Sequence, residues 1–212
     1  MRKADPNADY ATIAWLAYQN SLDLHAEAKL LLERRSPRAF TLAVASVEES
    51  MKAMLADAIT KGEARPEELL VGDDRGRWGF LTHHGGKQTL FALHLLAQAA
   101  RKRGQESLFQ LVETLRTSGD LESVELDEKN AIMEQVTSME RNRQDSVYVG
   151  VTGRGDAVKS PKKVITTEMC ETLIGQLADF FPILKANLKL TGEEYRTAQE
   201  TKLEAMHKAQ VR

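Results

Sequence analysis

The 212-residue chain has a single cysteine, Cys170, which excludes an internal disulfide framework and leaves the thiol as a small apolar filler on a helix face. No apolar run approaches the roughly 20 residues that span a bilayer, and Met1-Arg2-Lys3-Ala4-Asp5-Pro6 lacks the apolar core of a signal peptide. A cytoplasmic location without membrane attachment is therefore expected. Five prolines exclude a low-complexity chain. Net charge is scarce as well: the balance of −2 supplies no global attraction to nucleic acid, so any such contact has to be a local patch. Arg101-Lys102-Arg103, and Lys159 with Lys162-Lys163, are the compact basic clusters near expected loops. What the chain does have is ordinary for a globular protein, 42% hydrophobic and 28% charged residues, and it is long enough to bury a core without disulfides or metal.

The apolar positions recur at helical spacing between short breaks, which predicts an all-α fold. Asp5-Pro6 reads as a helix start, a carboxylate for the first amides followed by a proline that loses nothing there. Trp15, Leu16, Leu22, Ala26, Leu30 and Leu31 then mark the first apolar face. Ser36-Pro37 starts a second helix with the stripe Phe40, Val44, Val47, Met51, Met54, Leu55 and Ala58, stopped by Gly62. A third helix is expected within Trp78 to Arg103, ending at Gly104. The pair Gly85-Gly86 at its front implies a helix start, a kink or a close backbone approach, since two glycines inside a helix cost about 2 kcal/mol relative to alanines. Shorter helices are expected over about 106–117 and from Asp127 to about Arg143.

The pattern then changes. Ser146-Val147-Tyr148-Val149-Gly150-Val151 is β-prone, Gly153-Arg154-Gly155-Asp156 is a turn and Lys163-Val164-Ile165 is a second apolar run, together a short β-like arm near residues 146–165. A further helix begins at Thr166 or Thr167, with Pro182 expected to bend or end it. Residues 1–190 form the expected domain, and 191–212 a polar helical extension opened by the capping box Thr191-Gly192-Glu193-Glu194.

Three places could carry chemistry. Glu48 and Lys52 stand at i, i+4 and can pair on one helix face, with Glu49 beside them. His83 and Lys87, and more loosely His84 and Lys87, share a helix face; histidine can shuttle protons near neutral pH and lysine can hold a phosphate. Adjacent histidines diverge by about 100° on a helix and no other ligands stand at metal-site spacing, so neither a metal nor a cofactor is expected. Finally, Arg141-Asn142 lies where helix gives way to arm, with Ser146 and Tyr148 beyond. An arginine fork grips phosphate, asparagine orients a base or water, and tyrosine stacks.

Taken in order, these segments resemble the abortive-infection (AbiV-like) branch of the HEPN superfamily over roughly residues 12–185. Arg141-Asn142…Ser146-x-Tyr148 has the form of the HEPN Arg-polar-x(3 to 5)-His motif, with Ser146 where histidine would stand. Ala45-x-x-Glu48-Glu49-x-x-Lys52 resembles the branch's second helix, and Trp78-x-Phe80…His83/His84…Lys87 its aromatic and His-x-x-Lys segment. Val147-Tyr148-Val149, Pro161 and Ile165-Thr166-x-Glu168 resemble its arm. The resemblance implies a HEPN-like helical bundle, a two-fold homodimer, and an antiphage role on RNA or translation. Two activities remain open under it. One is metal-independent RNA cleavage, with Arg141 and Asn142 at the phosphate, His83 or His84 as the proton carrier, and Glu48, Glu49, Lys52, Lys87, Ser146 and Tyr148 lining the substrate. The other is an inactive module that binds RNA, a nucleotide or a phage or host protein.

Overall fold

The computed structural model describes residues 9–34, 36–65, 84–106, 109–110, 112, 138, 141–143, 146, 150–151, 158–189, 194, 197 and 200. Helix α1 spans Tyr10–Leu31 and α2 Ser36–Lys61; α3 spans His84–Lys102. A two-residue ladder joins β1, Gly150–Val151, to β2, Val158–Lys159, and is followed by the single turn α4, Pro161–Val164, and by α5, Thr167–Asn187. The described residues thus form a helical fold carrying a very short antiparallel ribbon, in register Gly150↔Lys159 and Val151↔Val158.

The helix signals act as written in the sequence, with some shifts of position. Asp5-Pro6 lies outside the described residues; the cap seen is Asp9, whose Oδ1 accepts from the Thr12 amide at 3.0 Å while Oδ2 accepts from the Thr12 hydroxyl at 2.6 Å. Gly62 and Gly104 end α2 and α3 at φ +76° and +68°, the left-handed conformation that glycine adopts without a Cβ penalty. There the amides of Glu63 and Gln105 reach back to the carbonyls of Ala58 and Ala100, each at 2.9 Å, and so satisfy orphan carbonyls of the last turn. Thr166 caps α5 through the Met169 amide at 3.2 Å.

The core forms on α2. Its stripe of Phe40, Val44, Val47 and Met51 is buried with Leu90 and Phe91 of α3 and with Leu173, Leu177 and Phe180 of α5. The other side of α2 is a row of small residues, Ala39, Ala43, Ser46, Ser50 and Ala53, all buried. It meets the small residues Ala14, Ala17, Ser21 and Ala28 of α1, and the helices come close enough for the Ser46 hydroxyl to donate to the Ser21 carbonyl at 2.7 Å. This corrects the expected inner face of α1. Leu16 and Leu30 are exposed, Leu30 at 81%, because close approach of two helices selects alanine and serine at the contact and turns the large side chains outward.

Two further expectations change. Pro182 neither ends nor breaks α5, which continues to Asn187. Proline removes one amide, and it does so on the exposed side of the helix, while Phe180, Phe181 and Leu184 stay buried around it. In the arm, Ser146 is helical, and Lys163-Val164-Ile165 does not form the second strand. Pro161 starts a helical turn there, and the strand partner is Val158–Lys159. Of the expected helices over 106–117 and 127–143, only Glu106, Phe109, Gln110, Val112, Ser138 and 141–143 are described, all helical; Asp127 lies outside the described residues. In the expected extension, Glu194, Thr197 and Glu200 are described, and they are helical and exposed.

The far ends of α2 and α5 are tied by Asp57. One carboxylate oxygen accepts from the Lys189 amide at 2.7 Å, and the other pairs with Lys61 at 2.6 Å, while Lys61 also donates to the Asn187 carbonyl. Asp57 is buried, so removing it leaves the Lys189 amide without its acceptor and Lys61 without its ion pair. Asp57→Ala is expected to cost about 2–3 kcal/mol in chemical denaturation, with Asp57→Asn, which keeps an acceptor, intermediate; a neutral result would show that the end of α5 does not depend on this tie.

Candidate RNA-binding face on helix α2

At 100° per residue, Thr41, Ala45, Glu48 and Lys52 fall within about 60° of one another on α2. This face meets two partners, the segment holding Arg141 to Ser146 and the first turns of α3. Ser146 is 3% exposed, and its Oγ lies 2.5 Å from Thr41 Oγ1 and 2.6 Å from the Arg143 carbonyl. Each hydroxyl owns one proton. Only Ser146 can donate to the Arg143 carbonyl, so Thr41 donates to Ser146, in preference to its longer contact with the Pro37 carbonyl at 3.1 Å. At the position where the motif would carry histidine, the serine is therefore a latch that fixes this helix end to α2.

About 10 Å along the same face, seven residues at 1.5 Å each, lies a second polar set. Glu48 is buried and accepts from Gln88 Nε2 at 2.9 Å. The ion pair expected between Glu48 and Lys52 does not form in that way; Lys52 pairs with Glu49, at i, i+3, on the more exposed side of the helix. An inward carboxylate needs a partner from another helix, and Gln88 supplies it.

Lys87 is the unusual member of this set. It is 5% exposed, and among the described residues nothing hydrogen-bonds or ion-pairs with its ammonium. Burial pushes its pKa below the ordinary lysine value. Glu48 pulls it back up, Lys52 adds to the lowering, and Glu49 raises it slightly. The net sign says that the site disfavours the charge it holds.

Of the remaining candidates, Arg141 is exposed and helical, and among the described residues it has no hydrogen-bond or ion-pair partner; Asn142 beside it is half-buried. The backbone of His84 opens α3, while His83 and Tyr148 lie outside the described residues. The fold thus brings Glu48, Glu49, Lys52, Lys87 and Gln88 together and sets Ser146 on the same face of α2. Gln88 and Thr41 are additions that sequence reasoning missed. Gln88 was legible as the neighbour of Lys87, and Thr41 as the residue one turn before Ala45, but neither carries a pattern of its own. Among the described residues no group of three His, Cys, Asp or Glu side chains could hold a metal ion. His25 and His94 serve packing: His25 bonds the Ile174 carbonyl at 3.0 Å and meets Phe181 edge-on, and His94 meets Phe180 edge-on.

The sign of the Lys87 shift gives a stability prediction. The unfolded chain holds this proton up to about the ordinary lysine value of 10.5, whereas the folded chain gives it up earlier. Between the folded pKa and 10.5 the unfolded state binds more protons, so stability rises with pH. Lys87→Met is expected to melt a few degrees above the wild type at pH 7, and its advantage should shrink as the pH climbs towards 10.5. A variant that melts lower at pH 7 would make Lys87 the structural counter-ion of Glu48.

No curated protein and no solved structure matches the chain. The family model described as AbiV, a HEPN family, matches residues 9–181, which takes in every described helix up to the second half of α5. Among the described residues no helix is long and apolar enough to cross a membrane. With most of its length covered by that family and a helical fold to match, the chain belongs to the AbiV family of HEPN proteins, whose coarse role is abortive-infection defence.

Proposed function

We propose that this chain acts in antiphage abortive infection by binding RNA along the α2 face, with Arg141 gripping a phosphate and Asn142 orienting the strand. The observation that carries this reading is the exposed Arg141, without a hydrogen-bond or ion-pair partner among the described residues, beside a helix end latched to α2 through Ser146 and Thr41. An exposed guanidinium fork suits bidentate phosphate contacts. The near-neutral overall charge requires the contact to be local, and an anchored helix end keeps it in place.

The Ser146 latch favours holding RNA over cutting it. A positioned proton-transfer residue contributes about 10²–10⁴ in rate, and a serine hydroxyl donating to its own helix is no substitute. Cleavage is the second reading, and it needs His83 or His84. What favours it is that α3 opens at His84, in the same turn as Lys87, which lies within electrostatic reach of Glu48.

Wild type, Arg141→Ala, His83→Ala, His84→Ala and Ser146→His are to be compared in RNA binding and RNA cleavage. For the binding module, Arg141→Ala weakens RNA binding in a salt-dependent manner and no variant cuts. Ser146→His is expected to lower stability by about 1–3 kcal/mol, because an imidazole overfills a buried serine site and displaces the Thr41 bond. Cleavage abolished by Arg141→Ala and one histidine variant would establish the second reading; RNA affinity indifferent to Arg141 would sink both, leaving a phage or host protein as the partner to seek.

A two-fold homodimer belongs to the same proposal, since a second copy would bring two Arg141 segments to one cleft. The exposed Leu16 and Leu30 on one edge of α1 support it as apolar surface that the single chain leaves uncovered. Light scattering at tens of micromolar should give twice the chain mass; a strict monomer would count against the shared cleft.

A further inference from the structure

Helix α3 carries no carboxylate, and none occurs in sequence from His84 to Gln105. Its far end gathers three cations, Arg101, Lys102 and Arg103, all exposed. The residues three and four positions before them, Ala97 to Ala100, include no acid that could pair with them along the helix. The next acid, Glu106, accepts from Gln110 Nε2 at 2.8 Å. Among the described residues none of the three cations has an ion pair or a side-chain hydrogen bond.

A helix end by itself does not account for this cluster. Basic side chains near a C-terminus can bond the last carbonyls, but here backbone amides already do so. The Arg103 amide bonds the carbonyls of Ala99 and Ala100 at 3.1 and 3.2 Å, and the Gly104 amide bonds that of Arg101 at 3.2 Å. The macrodipole favours Arg101 and Lys102 in the last turn. Arg103 stands beyond that turn, and like charges on consecutive residues repel.

The second observation is aromatic. The Arg101 guanidinium lies over the Phe109 ring, 6.0 Å from its centroid. Phe109 is half-buried on the segment that follows Gly104, where its amide bonds the Gln105 carbonyl at 3.0 Å. A cation held over a ring loses less freedom when a ligand arrives. Cations set beside an aromatic ring suit a single nucleic-acid strand, whose phosphates meet the charges while a base stacks on the ring or on a guanidinium plane. Fourteen residues of helix, about 21 Å, separate Arg101 from Lys87 at the Glu48 cluster.

We infer that the C-terminal end of α3 is a second contact surface for single-stranded RNA. Lys102 and Arg103 take phosphates, and Arg101, held over Phe109, offers a platform for a base. The surface uses none of the residues of the α2 face, and it rests on the RNA reading only for the identity of the strand.

The test uses the full chain with a fluorescent oligouridylate, a duplex RNA, and vesicles of phosphatidylserine and phosphatidylcholine, over a salt series. Wild type is compared with the double variant Lys102→Ala/Arg103→Ala, with Arg101→Lys, Phe109→Leu and Arg141→Ala, each shown to be folded by its cooperative melt. The double variant should bind oligouridylate about tenfold more weakly near physiological salt. Its slope of log affinity against log salt should fall by about 1.4, two phosphate contacts on a single strand. Arg101→Lys keeps the charge and should leave the slope unchanged while weakening oligouridylate several-fold; Phe109→Leu, which keeps apolar bulk, should do the same. If the double variant weakens binding and Arg141→Ala does not, this surface stands and the Arg141 reading fails. If Arg141→Ala weakens binding and the double variant does not, the RNA reading stands and this surface is overturned. If duplex and oligouridylate bind alike and Arg101→Lys is silent, the contact is purely Coulombic and the single-strand assignment is overturned. Binding of vesicles through the three cations, without binding of oligouridylate, overturns it in favour of a membrane contact. Absence of binding by all three probes overturns both readings.

Discussion

Because α2 lies against α1, α3 and α5, a polar side chain on it has to find its partner in a neighbouring segment or go without. Four of them do so, each in a different direction. Ser46 reaches the α1 backbone, Thr41 the buried Ser146, Glu48 the Gln88 amide of α3, and Asp57 the chain just beyond α5. An unmet polar group at such depth costs about 1–3 kcal/mol, so each link also fixes which neighbour may sit where. The apolar stripe of α2 supplies cohesion, and these four bonds supply register.

Among the charged groups on or beside this helix, Lys87 behaves differently. Asp57 is compensated by Lys61 and an amide, and Glu48 by an amide proton. Lys87 is buried to a similar extent and, among the described residues, has no hydrogen bond or ion pair, only the electrostatic pull of Glu48 and Glu49. A buried cation compensated only in part by nearby carboxylates lowers stability.

The serine at the motif position acts as a structural tie. Imidazole there would need space and a route to substrate; the hydroxyl uses its single proton on the Arg143 carbonyl and accepts another from Thr41. Arg141, one and a half turns earlier, is left outside and exposed. The motif is thereby divided, with Arg141 exposed and Ser146 in the core.

The sequence by itself determined the helical class, the stripe and both ends of α2, the stop of α3 at Gly104, and the family, because these depend on periodicity, capping and glycine conformation within a few residues. It also brought forward Glu48, Lys87, Arg141 and Ser146 as residues to watch. It misread the inner face of α1, where size and not hydrophobicity selects the contact, and of its two options for Pro182, a bend or an end, the end is excluded because α5 runs on to Asn187 with Phe180, Phe181 and Leu184 buried. Only the tertiary structure decided that Lys52 pairs with Glu49, that Glu48 is answered by Gln88, and that Ser146 is held by Thr41, 105 residues away in sequence. Local patterns record what a residue can do with its near neighbours; which of those options is taken depends on the buried surface that packing brings against it.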